Sequence, residues 1–280
     1  MKEIDVNTIT KEVSRLCIEA ATYIENDVFS IIKKARDNEA GLSKEILNQI
    51  IENDEIAAKE NIPMCQDTGI TVVFVEIGNN VHINGDLNEA INKGVSDGYT
   101  KGYLRKSVVK SPLNRVNTKD NTPAIIHIKY VVGDNLKITI CPKGAGSENM
   151  SKVKMLNPSD GIDGIKKFVL DTILEAGGRA CPPLIVGVGI GGDLEKSALI
   201  AKEALLRKID DESNDPDANK LEHELFEEIN KLNVGPMGLG GKTTALAVKV
   251  NLYPCHIASL PVACNIQCHA SRHKEVILWY

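Results

Sequence analysis

No apolar run in this chain approaches the roughly 20 residues that a membrane-spanning helix requires. The opening Met-Lys-Glu-Ile-Asp-Val-Asn also lacks the apolar core of a signal peptide. Aromatic residues make up only 4% of the chain, and no cluster of Lys and Arg interleaves with them. With a formal net charge of −5, that leaves no footprint for nucleic acid. An anionic substrate is still compatible with this balance, because local charge inside a cleft decides such binding. The seven cysteines are odd in number and scattered, with no C-x-x-C pair among them. That argues against a secreted disulfide framework and for the cytoplasm, where reduced thiols are free to pack, react or bind metal. What is present is ordinary for a soluble protein: 42% hydrophobic and 25% charged residues over 280 positions. Such a chain can bury a sizeable core as a single catalytic unit, with two intimate lobes at about 1–155 and 156–280 as a further expectation.

Residues 8–60 read as two or three helices, with Val13, Leu16, Cys17, Ala20 and Ala21 at helical spacing and Ser43 as a start signal. Ile70–Ile77 is a buried-strand candidate rich in β-branched residues. Gly85-Asp86 opens a helix over about 87–101. Pro123–Val132 and Leu136–Cys141 read as a hairpin turned by Gly133-Asp134-Asn135. Further helices are expected at about 160–176, 194–208 and 218–231, and strands at Leu184–Val188 and Thr243–Asn251. Asp210–Asn219, acidic and carrying Pro216, is the best surface-loop candidate. Strands and helices mix without a strict βαβ rhythm and without an internal repeat. The expected class is α/β or α+β, a helical N-terminal segment followed by mixed sheets packed with helices.

Two glycine motifs mislead. Gly187-Val-Gly189-Ile-Gly191-Gly192 satisfies G-x-G-x-x-G, but a dinucleotide site needs an acidic residue on a second strand about 20 positions on. Here that distance falls in Asp210-Asp211, beside no strand pattern; a tight strand–helix turn near the active cleft is the simpler reading. Gly238-Leu-Gly-Gly-Lys-Thr243 imitates a phosphate loop, yet Pro236 stands where its first glycine belongs.

Met64-Cys65-Gln66-Asp67-Thr68-Gly69 is the densest chemistry in the chain. A soft metal ligand, an amide, a carboxylate and a turn glycine fall within six residues. Cys181, in Gly-Gly-Arg-Ala-Cys-Pro-Pro, and Cys268, in Pro-Val-Ala-Cys-Asn-Ile-Gln-Cys-His-Ala, share its loop or element-end setting, where a thiolate can face a cavity. These three lie about 116 and 87 residues apart, and spacing alone would read them as small buried hydrophobes. Cys17, Cys141, Cys255 and Cys264 are read as structural. Taken together, and in this order, the three cysteine motifs resemble the cluster-carrying half of class I (iron–sulfur) fumarate hydratases and tartrate dehydratases, from about residue 10 to about 272.

The resemblance implies that Cys65, Cys181 and Cys268 hold a [4Fe–4S] cluster. Such clusters ordinarily take four thiolates, so three leave one iron open as a Lewis acid. It implies reversible dehydration of (S)-malate to fumarate, a step of the tricarboxylic acid cycle, with tartrate dehydration as the alternative. Arg105 matches the arginine that grips a substrate carboxylate, for which its planar fork suits bidentate pairing; otherwise it would be a surface salt bridge. Gln66 matches a substrate-contacting amide. The Lys143–Asn149 loop matches a backbone contact to substrate through Gly146, with Gly144 as the other candidate. Asp67 and His256 match a polar pair near the labile hydroxyl, the imidazole titrating near working pH. His269 and His273 receive no role.

Single-chain members of that family continue past the third cysteine motif into a second domain that supplies further carboxylate-binding cations and the carbon-proton base. Only twelve residues follow Cys268 here. The resemblance therefore implies an alpha subunit completed by a separate beta subunit, with a higher hetero-oligomer expected. The terminal Val276-Ile-Leu-Trp-Tyr280 run is read as either a docking surface or a core-packed tail. A non-catalytic iron–sulfur sensor is the competing class: it would keep the cysteines without needing Arg105, Gln66, Asp67 or His256.

Overall fold

Apolar residues at helical spacing bury one face of the first helix, α1 (Val6–Thr22), and Asp5 caps it by accepting from the Asn7 N–H. Ile9, Val13, Leu16, Cys17, Ala20 and Ala21 form that face, each large member contributing about 1.5–3 kcal/mol on full burial. Two more helices follow, α2 (Asn26–Asn38) and α3 (Gly41–Glu60); α3 starts two residues before Ser43, whose hydroxyl donates to the Ala40 carbonyl. The structure, a computed structural model, describes residues 2–278. Its elements continue as β2 (Ile70–Gly78) after β1 (Lys2–Asp5), then β3 (Val81–Asn84), α4 (Leu87–Lys101), β4 (Ile125–Val131), β5 (Leu136–Lys143), α5 (Ala145–Glu148), β6 (Lys152–Leu156), α6 (Gly161–Ala176), β7 (Leu184–Gly191), α7 (Leu194–Ala204), α8 (Pro216–Lys231), β8 (Ala245–Tyr253), β9 (Leu260–Gln267) and β10 (Lys274–Leu278). The class is mixed α/β, as expected. No helix among the described residues is long and apolar enough to cross a membrane.

The chain divides into two units. The first takes the described residues up to Ile24, Asn53–Ala145 and those from Arg272 on. Its four-stranded sheet has the order β10-β5-β2-β4, with β2 antiparallel to β5 and parallel to β4, beside a short parallel β1–β3 pair. α1 and α4 bury their apolar faces together with Val73, Val75, Ile138 and Ile140 of the sheet. The expected hairpin is wrong in its pairing. Both strands exist, but β2 lies between β4 and β5, and the Gly133 turn arches over its end, where Gly78 N–H donates to Asn135 and Asn79 N–H to Val131. The buried, β-branched β2 is the better partner for both. Of the terminal run, Val276 and Leu278 pack against this unit's core from β10, which pairs with β5. Trp279 and Tyr280 lie outside the described residues.

The second unit comprises Glu25–Glu52 and Gly146–Ser271. Its sheet has the order β6-β9-β7-β8, with β7 parallel to β8 and antiparallel to β9. Leu184, Val186, Val188 and Ile190 of β7 join α6 and α8 in one core. The alternate residues Gly187 and Gly189 face α7, and a Cβ there would come within 2.2 Å of the Ala201 carbonyl and 2.1 Å of the Ser197 carbonyl. The G-x-G-x-x-G run is therefore strand, kept bare so that a helix can lie on it. Only Gly191-Gly192, both with positive φ, form the expected turn, and it lies at the end of β7 opposite Cys181 rather than beside the cysteines. The acidic loop is shorter than expected: Asp215 caps α8 and Pro216 is its first residue. Asp211 is drawn into an ion network with Arg207 and the buried Lys249, and Arg207 also pairs with the buried Glu222.

Candidate active site

The Met64–Gly69 turn is held from several sides within the first unit. Met64 N–H donates to the Ala21 carbonyl at 2.9 Å, and the Met64 carbonyl accepts from the Asn53 side chain at 2.9 Å. Thr68 Oγ1 donates to the Arg105 carbonyl at 3.0 Å. The Tyr99 hydroxyl donates to the Thr68 and Gly69 carbonyls at 2.7 and 3.1 Å, and Asn121 Nδ2 also reaches the Gly69 carbonyl at 3.1 Å. Burial pushes the Tyr99 hydroxyl well above its ordinary pKa, so it stays a donor. Asp67 closes the turn on itself, Oδ1 accepting from Gly69 N–H at 3.0 Å, while Oδ2 accepts from Ala145 N–H at 2.8 Å. Each oxygen keeps a second lone pair. The result presents Cys65 half-buried and Gln66 exposed, with Gln66 Oε1 3.7 Å from Cys65 Sγ.

Arg272 is the residue that sequence reasoning missed. It is only 2% exposed, and its Nη1 donates to the Asp67 carbonyl at 2.8 Å. Nothing in the spacing pointed to it beyond its position four residues after Cys268. Gly144 is buried beside it: a Cβ there would stand 3.3 Å from Asp67 Oδ2 and 3.4 Å from Arg272 Nη2. Gly144 thus serves packing of the turn, whereas Gly146, in the second unit, is exposed. Arg105 is exposed too, with its backbone fixed by Thr68, and its guanidinium makes no ion pair among the described residues. The surface-salt-bridge alternative for it therefore has no partner there.

Asp54 lies in α3 next to Asn53, is 3% exposed, and its Oδ2 has no hydrogen-bond partner. Burial pushes its carboxyl up to about 6 despite a weak bond from Asn53. Its folded pKa is thus above the ordinary carboxylate value of about 3.9, so the folded state binds the extra proton. Stability accordingly falls as pH rises from about 4 to about 6, and the deficit is complete above that. Asp54→Asn is expected to raise stability by about 1–3 kcal/mol at pH 8 and to change little at pH 4, read by urea unfolding at both pH values.

In the second unit the topology brings two of the three cysteines together. Cys181 sits three residues before β7, and Cys268 directly follows β9. Because β7 and β9 run antiparallel with Ile185 opposite Gln267, both fall at the same end of the sheet. The loops are tied by His269 N–H donating to the Cys181 carbonyl at 3.3 Å. Cys181 adopts the left-handed conformation, φ 54° and ψ 63°, at the end of the 3-10 turn Gly177–Ala180. Both thiols are half-exposed. Cys17 and Cys264, by contrast, are fully buried, and burial pushes each thiol up to about 12, which keeps them inert as expected. Cys141 is buried as well, but Cys255 is exposed in the loop after β8, not a core residue. Among the described residues no three His, Cys, Asp or Glu side chains stand together as a ready cage for a single ion.

His256 is not brought to those cysteines. It follows β8, whose last residue Tyr253 pairs with Gly191 at the far end of β7 from Cys181. The eight residues of β7 separate the two ends by roughly 23 Å at about 3.3 Å per residue. His256 is exposed, and its Nδ1 accepts from Ala258 N–H at 3.1 Å, leaving Nε2 to carry the proton in the neutral ring. It shares a groove of about 430 Å³ with Lys196, Tyr253 and Cys255.

The family model described as "Fumarate hydratase (Fumerase)" matches residues 10–277. The chain belongs to the fumarate hydratase family. It is a hydro-lyase. Across 272 residues it is 46% identical to a Methanocaldococcus jannaschii protein provisionally named L(+)-tartrate dehydratase subunit alpha, covering 94% of this chain and 95% of that one. It is 31% identical over 290 residues to the L(+)-tartrate dehydratase subunit alpha of Escherichia coli (strain K12), covering 99% of this chain and 93% of that protein. For this fumarase-family chain, the sensor alternative set out above falls away.

Proposed function

We propose that this chain is the alpha subunit of an iron–sulfur hydro-lyase that dehydrates (S)-malate to fumarate reversibly, and that a separate beta subunit completes its site. The observation that carries the reading is the contrast among the cysteines. Cys65, Cys181 and Cys268 are half-exposed, Cys65 in the turn between α3 and β2 and the other two beside strand ends, with Cys181 and Cys268 held at one sheet end by a backbone hydrogen bond, while Cys17 and Cys264 are sealed in cores. The donor set fits a [4Fe–4S] cluster, which takes each thiolate on a different iron and needs no single-ion cage. When bound through three thiolates, such a cluster supplies Lewis-acid polarisation of a hydroxyl at its open iron.

The chain's own residues supply the rest. Arg105, exposed and without an ion pair among the described residues, grips one carboxylate of the dicarboxylate through its planar fork. Charge neutralisation there raises the acidity of the neighbouring C–H. Gln66 offers an amide beside Cys65, and the exposed Gly146 N–H, rather than that of buried Gly144, offers a backbone donor. Asp67 keeps lone pairs for the substrate hydroxyl while it fixes the turn. His256 receives no step at the cysteine end of its own sheet. The base that removes the carbon-bound proton belongs to the beta subunit. The alpha-subunit names of the relatives support such a partner.

Tartrate is the second reading, favoured by the names of those same relatives; tartrate carries one hydroxyl more than malate. Steady-state kcat/KM for (S)-malate and L(+)-tartrate, measured anaerobically on the reconstituted two-subunit complex, separates the two. Malate is expected to be preferred at least tenfold. A reversed ratio establishes the tartrate reading, and dehydration of neither by an iron- and sulfide-replete complex overturns both.

A further inference from the structure

Gln267 ends β9 with its side chain in the interior, only 3% exposed. Its Nε2 stands 3.3 Å from the Ala270 carbonyl and 3.7 Å from Cys268 Sγ. The carbonyl can only accept, so the amide nitrogen must face it, and that fixes which end of the amide points at the sulfur. The two amide hydrogens are therefore divided between the carbonyl and the sulfur. Gln267 Oε1 has no partner, so the side chain is not kept in place by its acceptor. Pairing of Gln267 with Ile185 anchors the backbone behind it.

We propose that Gln267 is a positioning and tuning residue that donates an N–H···S hydrogen bond to Cys268 when that thiolate is a cluster ligand, favouring the more electron-rich state of the cluster. This rests on the cluster reading above. The physics is that an added electron spreads over the sulfurs, so a fixed donor at a ligand sulfur stabilises the reduced form more than the oxidised one. Buried at 3% exposure, the amide meets little competition from water.

The test uses the two-subunit complex, reconstituted anaerobically, with Gln267→Met and Gln267→Leu as side chains of similar volume without a donor. Iron and sulfide content is measured first, then dithionite titration followed by electron paramagnetic resonance of the reduced cluster. A variant that keeps its cluster is expected to hold about one tenth of the wild-type reduced-to-oxidised ratio at a given potential, a fall of about 59 mV for a one-electron couple. A shift of similar size in the same direction supports the hydrogen bond. An unchanged potential in a cluster-loaded variant overturns it and leaves the hydro-lyase reading standing. Loss of the cluster from both folded variants assigns Gln267 to holding Cys268 and overturns the tuning. Wild-type complex without stoichiometric iron and sulfide overturns the cluster reading and this inference together.

Discussion

Arg105→Ala is expected to lower kcat/KM for the dicarboxylate about 10³-fold, with iron content unchanged. Two charge-assisted hydrogen bonds to one carboxylate, at about 2 kcal/mol each, are lost together, and about 4 kcal/mol corresponds to three factors of ten at 1.4 kcal/mol each. The guanidinium has no ion pair among the described residues, so truncation strands no internal charge. Only the carbonyl of Arg105 is used by the fold, as the acceptor for Thr68 Oγ1, and alanine keeps it. Stability should therefore stay within about 0.5 kcal/mol of wild type, as for other surface changes. Arg105→Lys keeps the charge but offers a point donor in place of a planar fork, and should recover about a tenth of the activity. Steady-state kinetics on the reconstituted complex, with iron analysis alongside, makes the check; an Arg105→Ala enzyme within threefold of wild type would remove Arg105 from the substrate's reach.

The contrast between Arg105 and Arg272 shows what was legible in the chain. The helix α4 is legible at its bounds of about 87–101, because apolar periodicity and caps such as Asp86 act locally, whereas α1 is legible only as part of a helical stretch over 8–60. The three cysteine motifs stand out in the sequence because each carries its own turn chemistry. Pairing was not legible. β4 and β5 look like a hairpin in sequence because a short turn joins them, yet β2, more apolar than either, takes both of their inner edges. β9 is hard to read because Pro261, Cys264 and Asn265 break the usual strand composition, although most of it is buried. Arg272 could not be assigned because its function depends on a carbonyl 205 residues away in sequence. The position of His256 is hidden for a similar reason. Twelve residues before Cys268 sounds close, but β9 runs the length of the sheet between them. Local chemistry reads well from sequence, whereas which end of a sheet it occupies is a property of the topology.

The turn itself offers the sharpest structural prediction. Gly69→Ala should destabilise the protein by about 2–5 kcal/mol and strip most of the iron from it. Gly69 has φ +76°, which costs an L-residue about 1–2 kcal/mol. A Cβ there would also stand 2.7 Å from both the carbonyl carbon and oxygen of Lys143, atoms of a strand rather than of a mobile side chain. Ile70 is paired with Lys143 in the ladder, so neither strand can withdraw without breaking the start of β2. Overpacking of this kind adds about 1–3 kcal/mol. Relief by moving the turn instead would disturb three contacts at Gly69, those from Tyr99 and Asn121 to its carbonyl and its own N–H bond to Asp67. Cys65, Gln66 and Asp67 would then shift together, so iron binding and turnover fall along with stability. Gly41→Ala is the control. It also has positive φ, +58°, but a Cβ there meets nothing within 4 Å, so it should lose only the conformational part, about 1–2 kcal/mol. Thermal melts and iron analysis of both variants decide the matter: equal losses in the two would mean that the Lys143 contact contributes nothing, and a Gly69→Ala protein with full iron would free the turn from its role in presenting Cys65.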